Sequence, residues 1–211
     1  ACVSEQAVIS DPDIARELRH ELKLKGAYFC TAAEADRLAE TIFLGERAMN
    51  PERVGQSPYV LAELSGFSIP PRTRCLVSEE SEIGWQRPLS AEKLNPVLAF
   101  YEARDSNHGL ELAQKIARFE GWGHSSVVHS HDPTIVAKFS SIPTGRVLVN
   151  TPAIMGGMGY STDLEPSFML GTGTWSGSIT SDNVTALHLI NIKRVAYQNR
   201  PWRDIYEEYA E

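Results

Sequence analysis

Three features of the sequence predict an α/β fold, with a mainly parallel sheet flanked by helices in three layers. Helix starts are marked by cap-then-proline pairs and a capping box. Short runs rich in β-branched and aromatic residues stand between them. Several of those runs are apolar on both faces, as strands covered by helices on each side must be.

The elements follow in order. Asp11-Pro12 opens a helix whose Ile14, Leu18 and Leu22 repeat at four-residue spacing, and Gly26 stops it. Thr31 and Glu34 form a capping box ahead of a stripe of Leu38, Ala39 and Ile42. Ser57-Pro58 and Asp132-Pro133 repeat the cap-then-proline device, and Leu110, Ala113, Ile116 and Ala117 make an amphipathic face between Ser106 and Gly121. "RCLVS" (74–78), "PVLAFYEA" (96–103), "SSVVHS" (125–130) and "RVLVN" (146–150) read as strands. Residues 151–186 carry six glycines without helical or strand periodicity, and a long irregular loop of this kind is usually functional. "HLINIKRVAY" (188–197) reads as a further strand and "PWRDIYEEYA" (201–210) as a closing helix.

Composition excludes several classes. With 211 residues, 42% of them apolar, the chain can bury a real core. A net charge of −7 argues against a nucleic-acid partner, and Lys23 and Lys25 read as a solvated helix face. No apolar run approaches the roughly 20 residues of a membrane helix, so no membrane partner is expected. Cys2, Cys30 and Cys75 are odd in number and widely spaced, which predicts neither a disulfide framework nor structural zinc but a reducing, cytoplasmic setting.

Local chemistry leaves alternatives open. Cys2 is either a terminal residue without a role or a nucleophile, since a thiolate attacks carbonyl carbon well. Cys30 and Cys75 sit in apolar surroundings and read as inert. His124, between glycine and serine, suits a surface histidine or a general acid–base equally. His129 and His131 form H-x-H, and with His124 they make a possible metal cluster, but no carboxylate stands ready as a further ligand. The expectation is no metal. Residues 171–177 read G-x-G-x-x-x-G, which is not a dinucleotide fingerprint. Glu92, just ahead of a buried strand, reads either as a solvated carboxylate or as an acceptor for ribose hydroxyls.

Taken in order, several segments resemble the C-terminal, catalytic half of the aldehyde dehydrogenase superfamily. They are "CVSEQAVI", "GAYF", "EKLNPVLAFY", "GWGHSSVVHS", "RVLVNTPAIMGGMG", "LGTGTWSGSITSDNV" and "HLINIK". The likeness is to the CoA-acylating branch, including the aldehyde dehydrogenase part of bifunctional aldehyde–alcohol dehydrogenases. It implies that Cys2 is the nucleophile, forming a thiohemiacetal and then an acyl-thioester with hydride passed to NAD. It implies that His124 acts near the thioester, on the coenzyme A thiol or on developing charge. Glu92 would contact the nicotinamide ribose, with Leu94 and Asn95 replacing the phenylalanine and glycine of relatives, and Asn150 would support the catalytic loop.

The same resemblance implies a division into a catalytic domain (1–186) and an oligomerisation strand with tail (187–211), the strand 188–197 adding to a sheet of another copy in a homo-oligomer. The family's NAD-binding domain and the asparagine completing its oxyanion hole precede the nucleophile and lie outside this sequence. Losing that donor costs roughly 100–1,000-fold in rate, so this polypeptide by itself is expected to show no NAD-dependent turnover. Acetaldehyde is the default substrate by likeness, with propionaldehyde or sulfoacetaldehyde open, as are NAD against NADP and whether an alcohol dehydrogenase domain follows. Two other readings stand beside this one. One is a non-catalytic assembly module of the same fold; the other is a metal-dependent hydrolase using His124, His129 and His131.

Overall fold

The computed structural model describes residues 1–45 and 47–209. The last two positions of the predicted tail, Ala210 and Glu211, lie outside them. In chain order the regular elements are β1 (Ala7–Ser10), α1 (Pro12–Leu24), β2 (Ala27–Phe29), α2 (Ala32–Ile42), β3 (Phe43–Leu44), β4 (Ala48–Met49) and α3 (Pro58–Leu64). They continue with β5 (Cys75–Glu79), β6 (Val97–Glu102), α4 (Ser106–Glu120), β7 (Gly123–Val128), α5 (Pro133–Phe139), β8 (Thr144–Val149), α6 (Ala153–Gly157) and α7 (Trp202–Glu208).

The main sheet has the order β1-β6-β5-β2 and every pair in it is parallel. Register decides its two faces. Tyr28, Leu76 and Val97 stand side by side, and so do Ser78, Ala99 and Ala7, on one face. That face meets α2, α3 and α4 in two clusters, one around Leu38, Ile42, Leu61 and Leu76 and one around Ala99, Tyr101, Ala103 and Leu112. Each fully buried leucine or isoleucine there contributes roughly 1.5–3 kcal/mol. The opposite face carries Phe29, Val77, Leu98 and Phe100 and is covered by α1, whose Arg19 and Lys23 lie over the Phe100 and Phe29 rings at 4.6 and 5.1 Å. Helices on both faces make the three layers.

Local sequence explains the helix ends. Thr31 and Glu34 make the reciprocal capping box, with Thr31 N–H donating to Glu34 Oε2 at 2.7 Å and Glu34 N–H to Thr31 Oγ1 at 3.3 Å. Gly26 turns α1 into β2 at φ 98°, a conformation that L side chains rarely adopt. Pro12 sits at the start of α1, although the Asp11 side chain makes no cap bond. The stripe predicted for α1 is corrected by one residue: Ile14 is half exposed, and Ala15 is the buried member beside Leu18 and Leu22.

β7 and β8 pair in parallel as a second sheet. β7 stops at Val128, so His129 and His131 lie beyond the strand and are exposed, and the shared strand face expected for H-x-H does not form. Residues 151–186 are mainly irregular, as expected, apart from α6 and a 3-10 turn at Thr174–Ser176. The predicted strand 188–197 forms no ladder within the described residues. Its first residues belong to a 3-10 turn, Ala186–Leu189, and the rest pairs with nothing among the described residues. A strand needs a partner ladder, and none of the described residues supplies one. No helix among the described residues is long and apolar enough to cross a membrane.

Candidate active site

Three of the four predicted site residues, Cys2, Glu92 and His124, fall at strand amino ends rather than at the carboxyl ends where parallel α/β sheets usually bind ligands, and only Asn150 follows a strand's carboxyl end. Cys2 precedes β1, Glu92 precedes β6 and His124 is the second residue of β7. Neighbours in the sheet, β1 and β6 carry Cys2 and Glu92 to the same edge.

The segment bearing Cys2 is fixed at three points. Val3, 6% exposed, packs with Leu148 of β8 and Ala153 of α6. Glu5 Oε1 accepts the Ala153 N–H at 2.8 Å, the unpaired donor at the first position of α6. Gln6 receives two bonds from Lys93, the backbone N–H onto Oε1 at 3.0 Å and Nζ onto the carbonyl at 3.1 Å. Cys2 itself is exposed and lies in a tight turn closed by Ser4 N–H on the Ala1 carbonyl at 3.0 Å. A nucleophilic thiol must be reachable, and the Cys2 sulfur is.

Arg146 connects the site electrostatically. It shares a face of β8 with Leu148, on which Val3 packs, and pairs in register with Ser125, the residue after His124. Burial lowers the Arg146 pKa, while Cys2 and Asp182 act on it in the opposite sense. Its Nε and Nη1 donate to Asn183 Oδ1 at 2.9 Å and to the Gly171 carbonyl at 3.0 Å, and Asn183 Nδ2 donates onward to the Gly157 and Glu165 carbonyls. One guanidinium thus holds the glycine-bearing loop against β8.

His124 is half-buried. Burial first, and then the Arg146 charge, lower its pKa below the ordinary histidine value, so the ring is neutral near pH ~7. Nδ1 lies 3.1 Å from Ser125 Oγ, while Nε2 is buried with no hydrogen-bond partner among the described residues. A neutral imidazole can accept a proton from a group brought against it. Glu92 is also partly buried. Desolvation and then Glu120 raise its pKa, with Lys93 and the Ala1 ammonium pulling the other way. Among the described residues its carboxylate makes no hydrogen bond, nor does one join Cys2, His124 and Glu92 to each other.

Asn150 stands at the far end of the second sheet from His124, about 16 Å away at ~3.3 Å per residue. Its amide clasps Ser130, accepting from the N–H and donating to the carbonyl, both at 2.9 Å. This clamp sets the path of the chain into α6, where Val3 and Glu5 dock. Among the described residues no group of three histidines, cysteines or carboxylates is arranged to hold a metal ion, so the hydrolase reading has no ligand set there.

Lys93, Arg146, Asn183 and Gln6 were not singled out by sequence reasoning. Arg146 left one trace, a lone cation opening an otherwise apolar strand, whereas Lys93 sits among polar neighbours and looks solvated.

No protein-family model matches the chain. An aldehyde-alcohol dehydrogenase of Clostridium acetobutylicum is 38% identical over 201 residues, covering 92% of this chain and 23% of that protein. The bifunctional aldehyde-alcohol dehydrogenase AdhE of Escherichia coli is 36% identical over 212 residues, covering 97% of this chain and 24% of that protein. Among solved structures, an acetylating aldehyde dehydrogenase from Geobacillus thermoglucosidasius superposes with a TM-score of 0.89 at 41% identity, covering 95% of this chain and 44% of that one. The chain therefore spans about a quarter of the length of these two curated relatives.

Proposed function

We propose, starting from a chain that belongs to the acetylating aldehyde dehydrogenases, that it supplies the cysteine-bearing half of an NAD-dependent enzyme interconverting a short-chain aldehyde and its acyl-CoA. The observation that carries this reading is that β8 brings the two residues together: Val3, next to the exposed, backbone-anchored Cys2, packs on Leu148, and Arg146 on the same face pairs in register with Ser125, next to His124.

In this reading the Cys2 thiolate adds to the aldehyde carbon, and the C=O pair moves onto oxygen to give a thiohemiacetal. The nicotinamide cofactor, when bound, supplies the acceptor for the hydride that leaves this carbon. Glu92 fits a role in holding it, because its partly buried carboxylate has no partner among the described residues and could accept from ribose hydroxyls. The resulting Cys2 thioester is attacked by the thiol of coenzyme A. His124 takes the thiol proton, the C–S bond to Cys2 breaks, and acyl-CoA leaves with the thiolate restored. Every step runs backwards as readily in principle, so acyl-CoA reduction belongs to the same site. Acetaldehyde is the substrate that the likeness favours.

Acyl transfer tests this without the cofactor. Incubation of the protein with acetyl-CoA, followed by intact mass measurement, should show one acetyl adduct that disappears in Cys2→Ala. An adduct that survives in Cys2→Ala, or none in the parent, overturns the assignment.

A second part of the proposal concerns assembly. Residues 188–197 expose Leu189, Ile190, Ile192, Val195 and Tyr197, four of them β-branched or aromatic, without a ladder partner among the described residues. Addition of this segment to a sheet edge of a second copy would satisfy its backbone groups. On this reading 1–186 is the catalytic domain and 187–211 the oligomerisation strand and tail. Light scattering should report a dimer or larger, and Ile190→Lys with Ile192→Lys should shift it toward monomer.

A further inference from the structure

Lys93 is the largest departure from what a core requires. Its side chain is fully buried, and its ammonium donates to three backbone carbonyls: Leu89 and Ala91 at 2.8 Å each and Gln6 at 3.1 Å. An ammonium has three N–H donors, so all of them are used. Burial of such a charge is costly and pushes the Lys93 pKa down to about 7, with Glu80 and Glu92 opposing. Packing alone would be served better by methionine or leucine at this position.

The three acceptors explain what the charge does. Leu89 and Ala91 belong to the 3-10 turn Pro88–Ser90 and its end, whereas Gln6 is the residue that leads into β1, four positions after Cys2. The Lys93 N–H adds a fourth bond, to Gln6 Oε1 at 3.0 Å, and the Gln6 carbonyl also receives the Ala99 N–H of β6 at 3.1 Å. Just past Lys93 the chain is pinned again: Gly55 N–H donates to the Leu94 carbonyl at 3.0 Å and Gln56 N–H to Asn95 Oδ1 at 3.2 Å. Leu94 takes φ 48° between these ties. Glu92 therefore sits in a loop held at both ends, and one of those ends is bonded to the segment that carries Cys2.

We propose that Lys93 is a positioning residue: it locks the loop bearing Glu92 to the segment bearing Cys2, so that nucleophile and cofactor-holding carboxylate keep one spacing. The role assigned to that spacing rests on the function proposed above, but the lock itself does not.

Amide hydrogen exchange reads the lock directly. Lys93→Met keeps the length of the side chain and removes the three Nζ bonds; Gln6→Leu removes only the side-chain acceptor and keeps a folded chain within reach if Lys93→Met is too disruptive. Exchange at residues 3–6 and 91–95 should quicken together, on the order of tenfold or more for loss of hydrogen bonds to a buried charge. Exchange in β5 at Leu76–Ser78 should stay as it was. Unchanged exchange, or an equal rise throughout β5 and β6, overturns the lock.

The functional arm uses the complete enzyme. Lys93→Met should raise the KM for the nicotinamide cofactor several-fold while Glu92 is present and add nothing in a Glu92→Gln background. Equal effects in both backgrounds show that Lys93 does not act through Glu92. A complete wild-type enzyme without dehydrogenase activity would sink the functional reading while the exchange result still decides the lock.

Discussion

Arg146 Nε donates to Asn183 Oδ1 at 2.9 Å, and both residues are more than nine-tenths buried. The pair is the crosslink between β8 and the glycine-bearing loop, because Asn183 passes the restraint on to the Gly157 and Glu165 carbonyls. Removal of one member strands the other. Asn183→Ala should cost about 2 kcal/mol and Arg146→Met roughly 3 kcal/mol or more, since the latter leaves Asn183 Oδ1 and the Gly171 carbonyl without their donor. Urea midpoints at constant m measure both; a loss under about 0.5 kcal/mol for either would show that the loop is held elsewhere.

Gly123 controls the residue after it. At φ 79° it lies so close to the loop that a Cβ would meet the Thr172 carbonyl oxygen at 2.3 Å and Ser176 N at 2.9 Å. Gly123→Ala should therefore destabilise by about 3 kcal/mol, from backbone strain together with displacement of the loop. Because His124 follows directly, its ring should move as well. Denaturation and the shift of the His124 imidazole resonance would check the two effects, and an alanine variant as stable as the parent would refute the close approach.

Much of the scaffold was readable because its signals are local. The Thr31 capping box, Pro58 and Pro133 at first helical turns and Gly26 after α1 act within four residues of themselves, and the structure places helix ends at each. The site was readable only in part. Cys2, Glu92 and His124 are separated by 90 and 32 positions, and nothing in their own neighbourhoods says that β1 and β6 are adjacent. Lys93 and Arg146 were missed for a related reason: a charge looks solvated in sequence, and its burial is decided by carbonyls and an amide contributed from elsewhere in the fold. The segment 188–197 shows the converse limit, because strand propensity is written in the sequence whereas a ladder needs a partner strand, and none pairs with it among the described residues.

His124 gives stability a pH dependence of known sign. Its folded pKa is lowered by burial and then by Arg146, while the unfolded chain titrates near the ordinary value of about 6.5. Between those two values the unfolded state binds more protons, so stability falls as pH drops through about 6.5 and levels off once the folded value is passed. Above about 6.5 the contribution is constant. His124→Gln should flatten that part of the profile relative to the parent. A parallel pair of urea-midpoint profiles between pH ~7.5 and ~5 would contradict the assignment.

The three cysteines should differ sharply in reactivity. Burial, followed by the Glu34 charge, pushes the Cys30 thiol up to about 12, and burial raises Cys75 as well. At pH ~8 a thiol with a pKa near 12 is thiolate in only about one molecule in ten thousand, and the thiolate is the species that alkylates. Cys2 is exposed, on a turn that leaves its sulfur open to solvent. Limiting iodoacetamide should therefore label Cys2 first, and Cys2→Ser should slow uptake of the first label by tenfold or more until urea unfolds the chain. Peptide mapping that found Cys30 labelled as fast as Cys2 in the folded protein would remove the chemical ground for treating Cys2 as the nucleophile.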